Sequence, residues 1–223
     1  MKNILYIIWS ITLLLSSCQS NSQSKKDKNE ITQTQHLPPV QVKQINGLER
    51  AYFASGCFWC VEAIYESLKG VNESISGYSG GHTKNPTYET SNTGRTGHAE
   101  AVEILYDPKI VSFSTLVDVY FASQNPTQVN GQGPDHGSQY RSIIFYQNEN
   151  QKQIIEEKKA ALSKKLNRKI AAEIVPFQKF WKGEAYHQDY EKRNPGNRYI
   201  QGVSIPRLKR FQKKYPHLIK NKH

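Results

Sequence analysis

Residues 50–68 of this 223-residue chain read RAYFASGCFWCVEAIYESL. The run over 50–54 is short and largely apolar, which predicts a β-strand. From 57 to 68 the apolar residues recur at helical spacing, which predicts a helix with one buried face: Val61, Ile64, Tyr65 and Leu68. Cys57 is therefore expected to open a helix that follows directly on a strand.

The elements outside this stretch are predicted from the same patterns. Strands are expected at 71–78, 100–106, 139–146 and 170–175, and helices at 112–122 (Ser114 as its cap or within its first turn) and 149–166. Polar loops are expected at 82–97 and 125–137. The first six elements run βαββαβ, the order of a ferredoxin-like two-layer α+β sandwich. From 177 onward the chain is aromatic, basic and irregular, and we expect this extension to wrap the core.

The N-terminus has the features of a bacterial lipoprotein signal peptide. Lys2 supplies a positive charge, and residues 4–15 form an apolar stretch shorter than the roughly 20 residues that cross a bilayer. The following LSSC at 15–18 resembles a lipobox, in which Cys18 is acylated and becomes the mature N-terminus. An ordinary secretory signal with an incidental Cys18 is the alternative.

The predicted domain organisation follows from this assignment. Residues 1–17 form the signal peptide, 18–46 a flexible polar tether, and 47–223 one folded domain with a basic tail. Acylation of Cys18 would leave Cys57 and Cys60 as the two remaining thiols of three cysteines. We expect the protein to be extracytoplasmic and lipid-anchored to a bacterial membrane.

The charge of the chain is strongly positive and partly terminal. The formal net charge is +11, and no acidic residue follows Glu191. For a membrane-tethered chain, this basic end favours contact with anionic lipid head groups, or simple solvation, over nucleic acid. No nucleic-acid partner is expected.

Cys57 is the candidate nucleophile of the chain. A cysteine at the start of a helix is activated because unpaired backbone N–H groups and the helix dipole stabilise its thiolate. Phe58 and Trp59 add an apolar wall that suits a small hydrophobic group. A structural disulfide with Cys60, or half of a metal site, is the alternative interpretation.

Several ordered motifs accompany this cysteine. They are GCFW at 56–59, GYSGG at 77–81, PTYE at 86–89, GHAE at 97–100, the segment 135–142 ending in QYRS, and YHQDY at 186–190. Over residues 50–190 the chain closely resembles the A-type peptide methionine sulfoxide reductases, enzymes that reverse methionine oxidation. The resemblance implies reduction of methionine-S-sulfoxide in oxidised proteins, and secondarily of the free amino acid. It also implies a thioredoxin-like reductant and a monomer; neither a cofactor nor a metal is expected.

Sulfoxide reduction requires a nucleophile at sulfur and a proton for the departing oxygen. With Cys57 as nucleophile, Glu100 is the candidate acid, and an apolar pocket must raise its pKa for that role. Tyr88 and Tyr140 offer phenol donors to the oxygen, and Asp135 resembles the family's acidic pocket residue. Phe58 and Trp59 are expected to hold the substrate's S-methyl group.

Each of these residues also has a structural interpretation. Glu100 could be an exposed residue at a strand start, the tyrosines could be packing residues, and Asp135 could make a turn. His98 and His187 are expected to be structural hydrogen-bonding residues, because their spacing with the cysteines matches no standard zinc site.

Cys60 departs from the commonest family pattern, which has glycine here and recycling cysteines near the C-terminus. It is therefore the internal candidate to resolve a sulfenic acid on Cys57. Cβ atoms three residues apart on a regular helix are about 5–6 Å apart, whereas a disulfide needs roughly 3.5–4.5 Å, so the first turn must be loosened. Alternatively, Cys60 is a buried apolar residue and an external thiol reduces Cys57 directly.

Two other functions stay open on the sequence. One is a thiol–disulfide oxidoreductase that uses Cys57 and Cys60 as a dithiol and does not need Glu100. The other is a non-catalytic lipoprotein that binds peptides. The intact GHAE and QYRS motifs argue against both.

Overall fold

The computed structural model describes residues 37–221, so the signal peptide and Cys18 lie outside the described residues. The strands are β1 (Glu49–Ala54), β2 (Val71–Ser79), β3 (Ala99–Tyr106), β4 (Gly131–Gln132), β5 (Asp135–His136), β6 (Ile143–Tyr146), β7 (Glu173–Pro176) and β8 (Phe180–Lys182). The α-helices are α1 (Phe58–Glu66), α2 (Tyr88–Asn92), α3 (Phe113–Ala122), α4 (Glu149–Leu166), α5 (Tyr190–Arg193) and α6 (Ile205–Lys214). None of the helices in this part of the chain has the length and apolarity to cross a membrane.

The main sheet has the strand order β7-β6-β1-β3-β2-β8. Its four central strands, β6-β1-β3-β2, pair antiparallel throughout, which is the arrangement of the predicted ferredoxin-like βαββαβ sandwich. At the edges, β7 pairs parallel with β6 and β8 pairs antiparallel with β2. The α+β fold class is confirmed.

The alternation of side chains along β1 divides the interior into two layers. Ala51 and Phe53 face the larger cluster, which includes the apolar sides of α1 and α3. Tyr52 and Ala54 face a smaller cluster on the opposite side of the sheet, where the Tyr52 and Phe177 rings stack 3.8 Å apart. The sheet is therefore covered on both faces, and β1 leads straight from its centre to Cys57.

Most element boundaries lie within a few residues of the predicted ones, and 149–166 matches α4 in full. The strand predicted at 139–146 is wrong in its first half, because Ser138–Tyr140 forms a 3-10 helix and β6 begins at Ile143. Ser112, not Ser114, caps α3: its hydroxyl accepts the Thr115 N–H, and Ser114 lies in the first turn.

The predicted loops contain short elements that hydropathy does not show. The segment 82–97 includes α2, whose start is held by reciprocal bonds between Thr87 and Thr90. The segment 125–137 includes the two-residue strands β4 and β5. Such short elements carry too few residues for a periodic pattern, and local side-chain bonds define them instead.

The C-terminal extension wraps the core, as expected, but it is more regular than predicted. β8 extends the sheet beyond β2, and α6 lies against α1. At the other end of the domain, the Val40 N–H donates to the Phe177 carbonyl at 2.8 Å and the Val42 N–H to Gln147 Oε1 at 2.9 Å. Part of the predicted tether thus packs on the domain.

Gly77 gives a test of the β2–β8 pairing. A Cβ atom at this position would overlap the Trp181 carbonyl oxygen and the Phe180 ring of β8. We expect Gly77→Ala to lower the free energy of unfolding by about 1–3 kcal/mol, the usual effect of overpacking, as measured by urea denaturation. Gly196→Ala is the matched control, because a Cβ there meets nothing within 4 Å. Equal stabilities of the two variants would contradict this packing.

Candidate active site

Cys57 is the residue that precedes α1, and its side chain is 6% exposed. Its carbonyl accepts hydrogen bonds from the N–H groups of Cys60, at 3.2 Å, and Val61, at 3.3 Å. The first turn therefore combines a 3-10 bond with an α-helical bond. Side chains at i and i+3 eclipse in 3-10 geometry, which brings Cys60 toward the same side as Cys57.

Glu100 is buried next to this turn, with 2% of its surface exposed. Its Oε2 accepts the Phe58 N–H at 3.0 Å, so β3 is tied directly to the start of α1. Burial raises the pKa of Glu100 to about 8, although the Phe58 N–H favours the charged form. The carboxyl is thus a protonated acid at neutral pH, and the interpretation of Glu100 as an exposed residue is wrong.

These two groups meet at a cavity of about 210 Å³, here called the Cys57 cavity. Its lining residues are Cys57, Phe58, Trp59, Tyr88, Glu100, Asp135, Tyr140, Asn197 and Tyr199. All the residues predicted for nucleophile, acid, oxygen donors and substrate wall are therefore brought together. Cys60 does not line this cavity.

Tyr88 is held at the first position of α2 by a residue of the extension. Its backbone N–H donates to Glu184 Oε1, and the Tyr78 hydroxyl donates to Glu184 Oε2, both at 2.8 Å. Burial raises the pKa of the Tyr88 phenol and, in the 3-10 helix before β6, that of Tyr140. Both phenols keep their protons and can act as hydrogen-bond donors in the cavity.

The aromatic wall is fixed by stacking and by one histidine. The Trp59 ring stacks on Tyr190 at 3.8 Å, and its indole N–H donates to His187 Nδ1 at 3.0 Å. The fully buried His187 ring also packs 4.7 Å from the Phe58 ring, centroid to centroid. Because burial lowers the pKa of His187, its imidazole is neutral and accepts from Trp59.

Asp135 is half-buried in β5, and Tyr199 is its partner. The Tyr199 hydroxyl donates to Asp135 Oδ2 at 2.6 Å and lies 3.7 Å from Cys60 Sγ. The sequence analysis missed both Tyr199 and Asn197, whose Oδ1 accepts the Tyr199 N–H at 2.9 Å. Both residues lie in a polar stretch without a periodic pattern. The aromatic residue directly after NPGNR was the one indication in the sequence that this stretch contributes to the site.

The two thiols form an electrostatically coupled pair. The pKa of the Cys60 thiol is lowered to about 6, chiefly because the Cys57 thiol donates to it and then because the positive charge of Arg207 is near. Burial and the neighbouring Cys60 raise the pKa of Cys57. A negative charge on the pair is therefore favoured on Cys60. The expectation that the helix start activates Cys57 by stabilising its thiolate is wrong for the resting structure, because burial outweighs the helix-start N–H groups.

The remaining histidine of the motifs has a structural role. His98 Nδ1 accepts the Gly81 N–H at 3.1 Å, and its Nε2 contacts the Thr83 carbonyl at 2.8 Å. Within residues 37–221, neither His98 nor His187 joins the cysteines in a group with metal-binding geometry. The interpretation of these histidines as hydrogen-bonding residues agrees with these contacts.

A buried thiol, a protonated carboxyl and two phenol donors around one small cavity, with a second thiol one helical turn away, define a cysteine-dependent oxidoreductase site. Comparison with known proteins identifies the family. Residues 49–219 match the family model described as peptide methionine sulfoxide reductase. The chain belongs to this family, and it is an enzyme that reduces methionine sulfoxide.

Relatives of known activity cover most of the chain. The peptide methionine sulfoxide reductase MsrA of Pasteurella multocida is 44% identical over 172 residues, which are 77% of this chain and 99% of that protein. The MsrA of Saccharolobus solfataricus is 43% identical over 173 residues, 78% of this chain and 98% of the relative.

Solved structures show the same fold. Methionine sulfoxide reductase A of Corynebacterium diphtheriae superposes with a TM-score of 0.63 at 32% identity, covering 72% of this chain and 84% of that one. Reduced Mxr1 from Saccharomyces cerevisiae gives a TM-score of 0.65 at 30% identity, covering 70% and 91%. The family assignment decides against a general thiol–disulfide oxidoreductase and a non-catalytic peptide-binding lipoprotein.

Proposed function

We propose that the chain reduces the S epimer of methionine sulfoxide in oxidised proteins, with Cys57 as nucleophile and Glu100 as acid. The observation that carries this proposal is their meeting at one cavity through the Phe58 N–H···Glu100 bond of 3.0 Å. The S preference follows from the resemblance to the A-type reductases, and free methionine sulfoxide is a secondary substrate.

The first chemical step transfers oxygen from methionine to cysteine. The Cys57 thiolate attacks the sulfoxide sulfur and Glu100 donates a proton to its oxygen. The hydroxyl then passes to Cys57 while the transient S–S bond breaks and its electron pair stays on the methionine sulfur, so the products are methionine and a sulfenic acid on Cys57. Because the pKa of Cys57 is raised by burial, its proton must leave as the substrate binds. The buried Cys60 thiol, whose pKa is lowered to about 6, supplies the thiolate that takes that proton.

The other cavity residues hold the substrate. Tyr88 and Tyr140 donate hydrogen bonds to the sulfoxide oxygen as negative charge develops on it. The apolar faces of Phe58 and Trp59 take the S-methyl group. The one polar group of these two side chains, the Trp59 indole N–H, is already bonded to His187 and does not compete for the substrate. Asp135 binds the substrate's polar backbone through the carboxylate oxygen that Tyr199 leaves free.

Cys60 resolves the sulfenic acid in the second step. The Cys60 sulfur attacks the Cys57 sulfur, the proton that Cys60 took from Cys57 joins the departing hydroxyl, water leaves, and a Cys57–Cys60 disulfide forms. The 3-10 bond in the first turn of α1 and the lowered pKa of Cys60, about 6, both support this role. A thioredoxin-like dithiol protein then reduces the disulfide, and the enzyme acts as a monomer.

The oxidation chemistry predicts a defined stoichiometry in a Cys18→Ser background. Without reductant, one chain should form one methionine from the S epimer and lose two thiols, whereas Cys60→Ser should form one methionine and a dimedone-reactive sulfenic acid. With dithiothreitol, the S epimer should turn over at least about 100-fold faster than the R epimer, and Cys57→Ser should be inactive. Methionine yield and thiol titration measure these outcomes.

Three results would contradict this scheme. Equal turnover of the epimers would exclude the A-type assignment. Full thioredoxin-supported turnover of Cys60→Ser would show that an external thiol reduces Cys57 directly. A folded wild-type protein without activity on either epimer would instead favour a dithiol oxidoreductase that uses Cys57 and Cys60.

The raised pKa of Glu100 predicts the alkaline side of the pH profile. Glu100 is protonated below about pH 8 and loses its proton above it, so the single-turnover rate should fall as pH rises through 8. Glu100→Gln accepts the Phe58 N–H but donates no acidic proton, so we expect a loss of about 10²–10⁴-fold and no alkaline fall. Glu73→Gln, an exposed site on the adjacent strand, is the control. A wild-type rate that stays level up to pH 10 would exclude Glu100 as acid.

We propose further that the mature protein is anchored by lipid on Cys18 and works outside the cytoplasm. The support is the positive Lys2, the apolar stretch 4–15 and the LSSC at 15–18. A tether of this length would keep the catalytic domain close to the membrane surface. The basic side chains after Glu191 favour anionic lipid head groups there.

The anchor predicts a membrane-bound, processed protein. In bacteria, the mature chain should lack residues 1–17, carry acyl chains visible by mass spectrometry and resist carbonate extraction. Cys18→Ser should lose acylation and leave the membrane fraction, whereas Ser17→Ala keeps a small residue before the cysteine and should behave as wild type. Normal membrane retention of Cys18→Ser would exclude this anchor.

A further inference from the structure

Cys60, itself 1% exposed, lines a second and larger cavity, here called the Cys60 cavity. Its volume is about 700 Å³, within the usual range of small-molecule sites, and Cys57 is not among its lining residues. Tyr199 and Asp135 line both cavities, and their 2.6 Å hydrogen bond forms the partition between them. The two cysteines therefore line different cavities.

The wall of the Cys60 cavity is basic. Arg207, Arg210 and Lys214 are spaced by three and four residues, which places them on one side of α6. Among residues 37–221, no carboxylate forms an ion pair with any of the three. Asp135 is the one carboxylate among the lining residues, so the three basic side chains give the cavity a net positive charge beside Cys60.

Two further observations at this wall point to an anionic ligand. Arg207 is 8% exposed, and its guanidinium is held by Ser55 and the Ser123 carbonyl, so the charge is fixed in place. The buried amide nitrogen of Gln124, another wall residue, has no acceptor within the described part of the chain. A buried donor without an acceptor costs free energy that a bound carboxylate would recover.

We propose that the Cys60 cavity binds a small thiol that carries a carboxylate and delivers its sulfur to Cys60. This inference rests on the proposed Cys57–Cys60 disulfide and adds to the protein reductant a second route of recycling. It also means that substrate and small reductant enter by different openings and do not compete for the Cys57 cavity.

The exchange proceeds in two balanced steps. The reductant thiolate attacks Cys60 Sγ, the Cys57–Cys60 bond breaks, and Cys57 leaves as a thiolate while a mixed disulfide forms on Cys60. A second reductant thiolate attacks the reductant sulfur of that mixed disulfide and releases Cys60 as a thiolate. Two reductant thiols become one disulfide, and the enzyme regains both thiols. Cys60 would be the better leaving group of the pair, so thiol acidity favours attack on Cys57, and the basic wall of the Cys60 cavity must position the reductant for attack on Cys60 instead.

Single-cysteine variants test access without any catalytic turnover. In a Cys18→Ser background, Cys57→Ser leaves Cys60 as the one thiol and Cys60→Ser leaves Cys57. Each is treated with the anionic 5,5′-dithiobis(2-nitrobenzoate) and the neutral 2,2′-dithiodipyridine. For each variant, the rate with the anionic reagent is divided by the rate with the neutral reagent, and this ratio is normalised to the ratio for a free thiol in solution. The normalised ratio removes the effect of any change in thiol pKa, because both rates depend on the same thiolate. We expect a ratio about tenfold higher for Cys60 than for Cys57, falling as salt is added.

Charge variants identify the wall as the cause. Arg210→Gln with Lys214→Gln should reduce the Cys60 ratio severalfold. Lys209→Gln with Lys213→Gln makes the same charge change at two exposed residues of α6 that do not line the cavity, and it should leave the ratio unchanged. An equal ratio for the two cysteines, or a Cys60 ratio that survives the Arg210/Lys214 changes, would overturn the proposal.

A last measurement distinguishes failure of the small-thiol proposal from failure of the proposed Cys57–Cys60 disulfide. Wild-type enzyme oxidised by the S epimer is reduced with 3-mercaptopropionate or 2-mercaptoethanol at matched thiolate concentration. Faster recovery of both thiols with the anionic reductant, lost in the Arg210/Lys214 variant, supports the route. Failure of the oxidised enzyme to form a disulfide contradicts the resolving step of the proposed function, whereas disulfide formation with no anionic preference contradicts the cavity proposal alone.

Discussion

The hydrogen bond from the Phe58 N–H to Glu100 Oε2, 3.0 Å long, connects the start of α1 to β3 and fixes the geometry of the catalytic groups. It uses one of the N–H groups that a helix start leaves unpaired, and it orients a carboxyl that is 2% exposed. A buried carboxyl with a single donor is held in place but poorly solvated, so it keeps its proton to about pH 8. A protonated carboxyl is thereby fixed at the cavity that Cys57 lines. The same bond explains why a glutamate at a strand start is buried in this fold.

The extension beyond β7 completes the site and does not merely cover the core. Glu184 binds the Tyr88 N–H and the Tyr78 hydroxyl, His187 accepts the Trp59 indole, and Tyr199 binds Asp135. Apart from the Tyr78 bond, each joins a cavity residue to a residue of the extension. The sandwich alone would present Cys57 and Glu100, but Trp59, Tyr88 and Asp135 would lack these partners. Of the partners, His187 is fully buried, so the Trp59 bond is the most sensitive to the loss of its acceptor.

The division of labour between the two thiols follows from their surroundings. Cys57 faces a small cavity with an acid and two phenols, whereas Cys60 faces a large basic one, with the Tyr199–Asp135 pair between them. Arg207 connects the two halves of this arrangement, because its guanidinium bonds Ser55 at the entry to α1 while its charge stabilises the Cys60 thiolate. Arg207 on α6 thus supplies the positive charge that the proposed resolving role of Cys60 requires.

The amino-acid sequence by itself determined the order of elements, the candidate nucleophile and the ordered motifs around it. Strands and long helices such as α4 follow from hydrophobic periodicity, and Cys57, Glu100, Tyr88, Tyr140 and Asp135 were identified by motif and chemistry. What the sequence left open were the alternatives for each residue: exposed or buried, packing or donor. Only the tertiary structure decided these, because burial and its effect on pKa depend on neighbours that are distant along the chain. Glu100 and Phe58 are 42 residues apart, Trp59 and His187 are 128 apart, and Tyr199 was invisible until folding placed it between the two cysteine cavities.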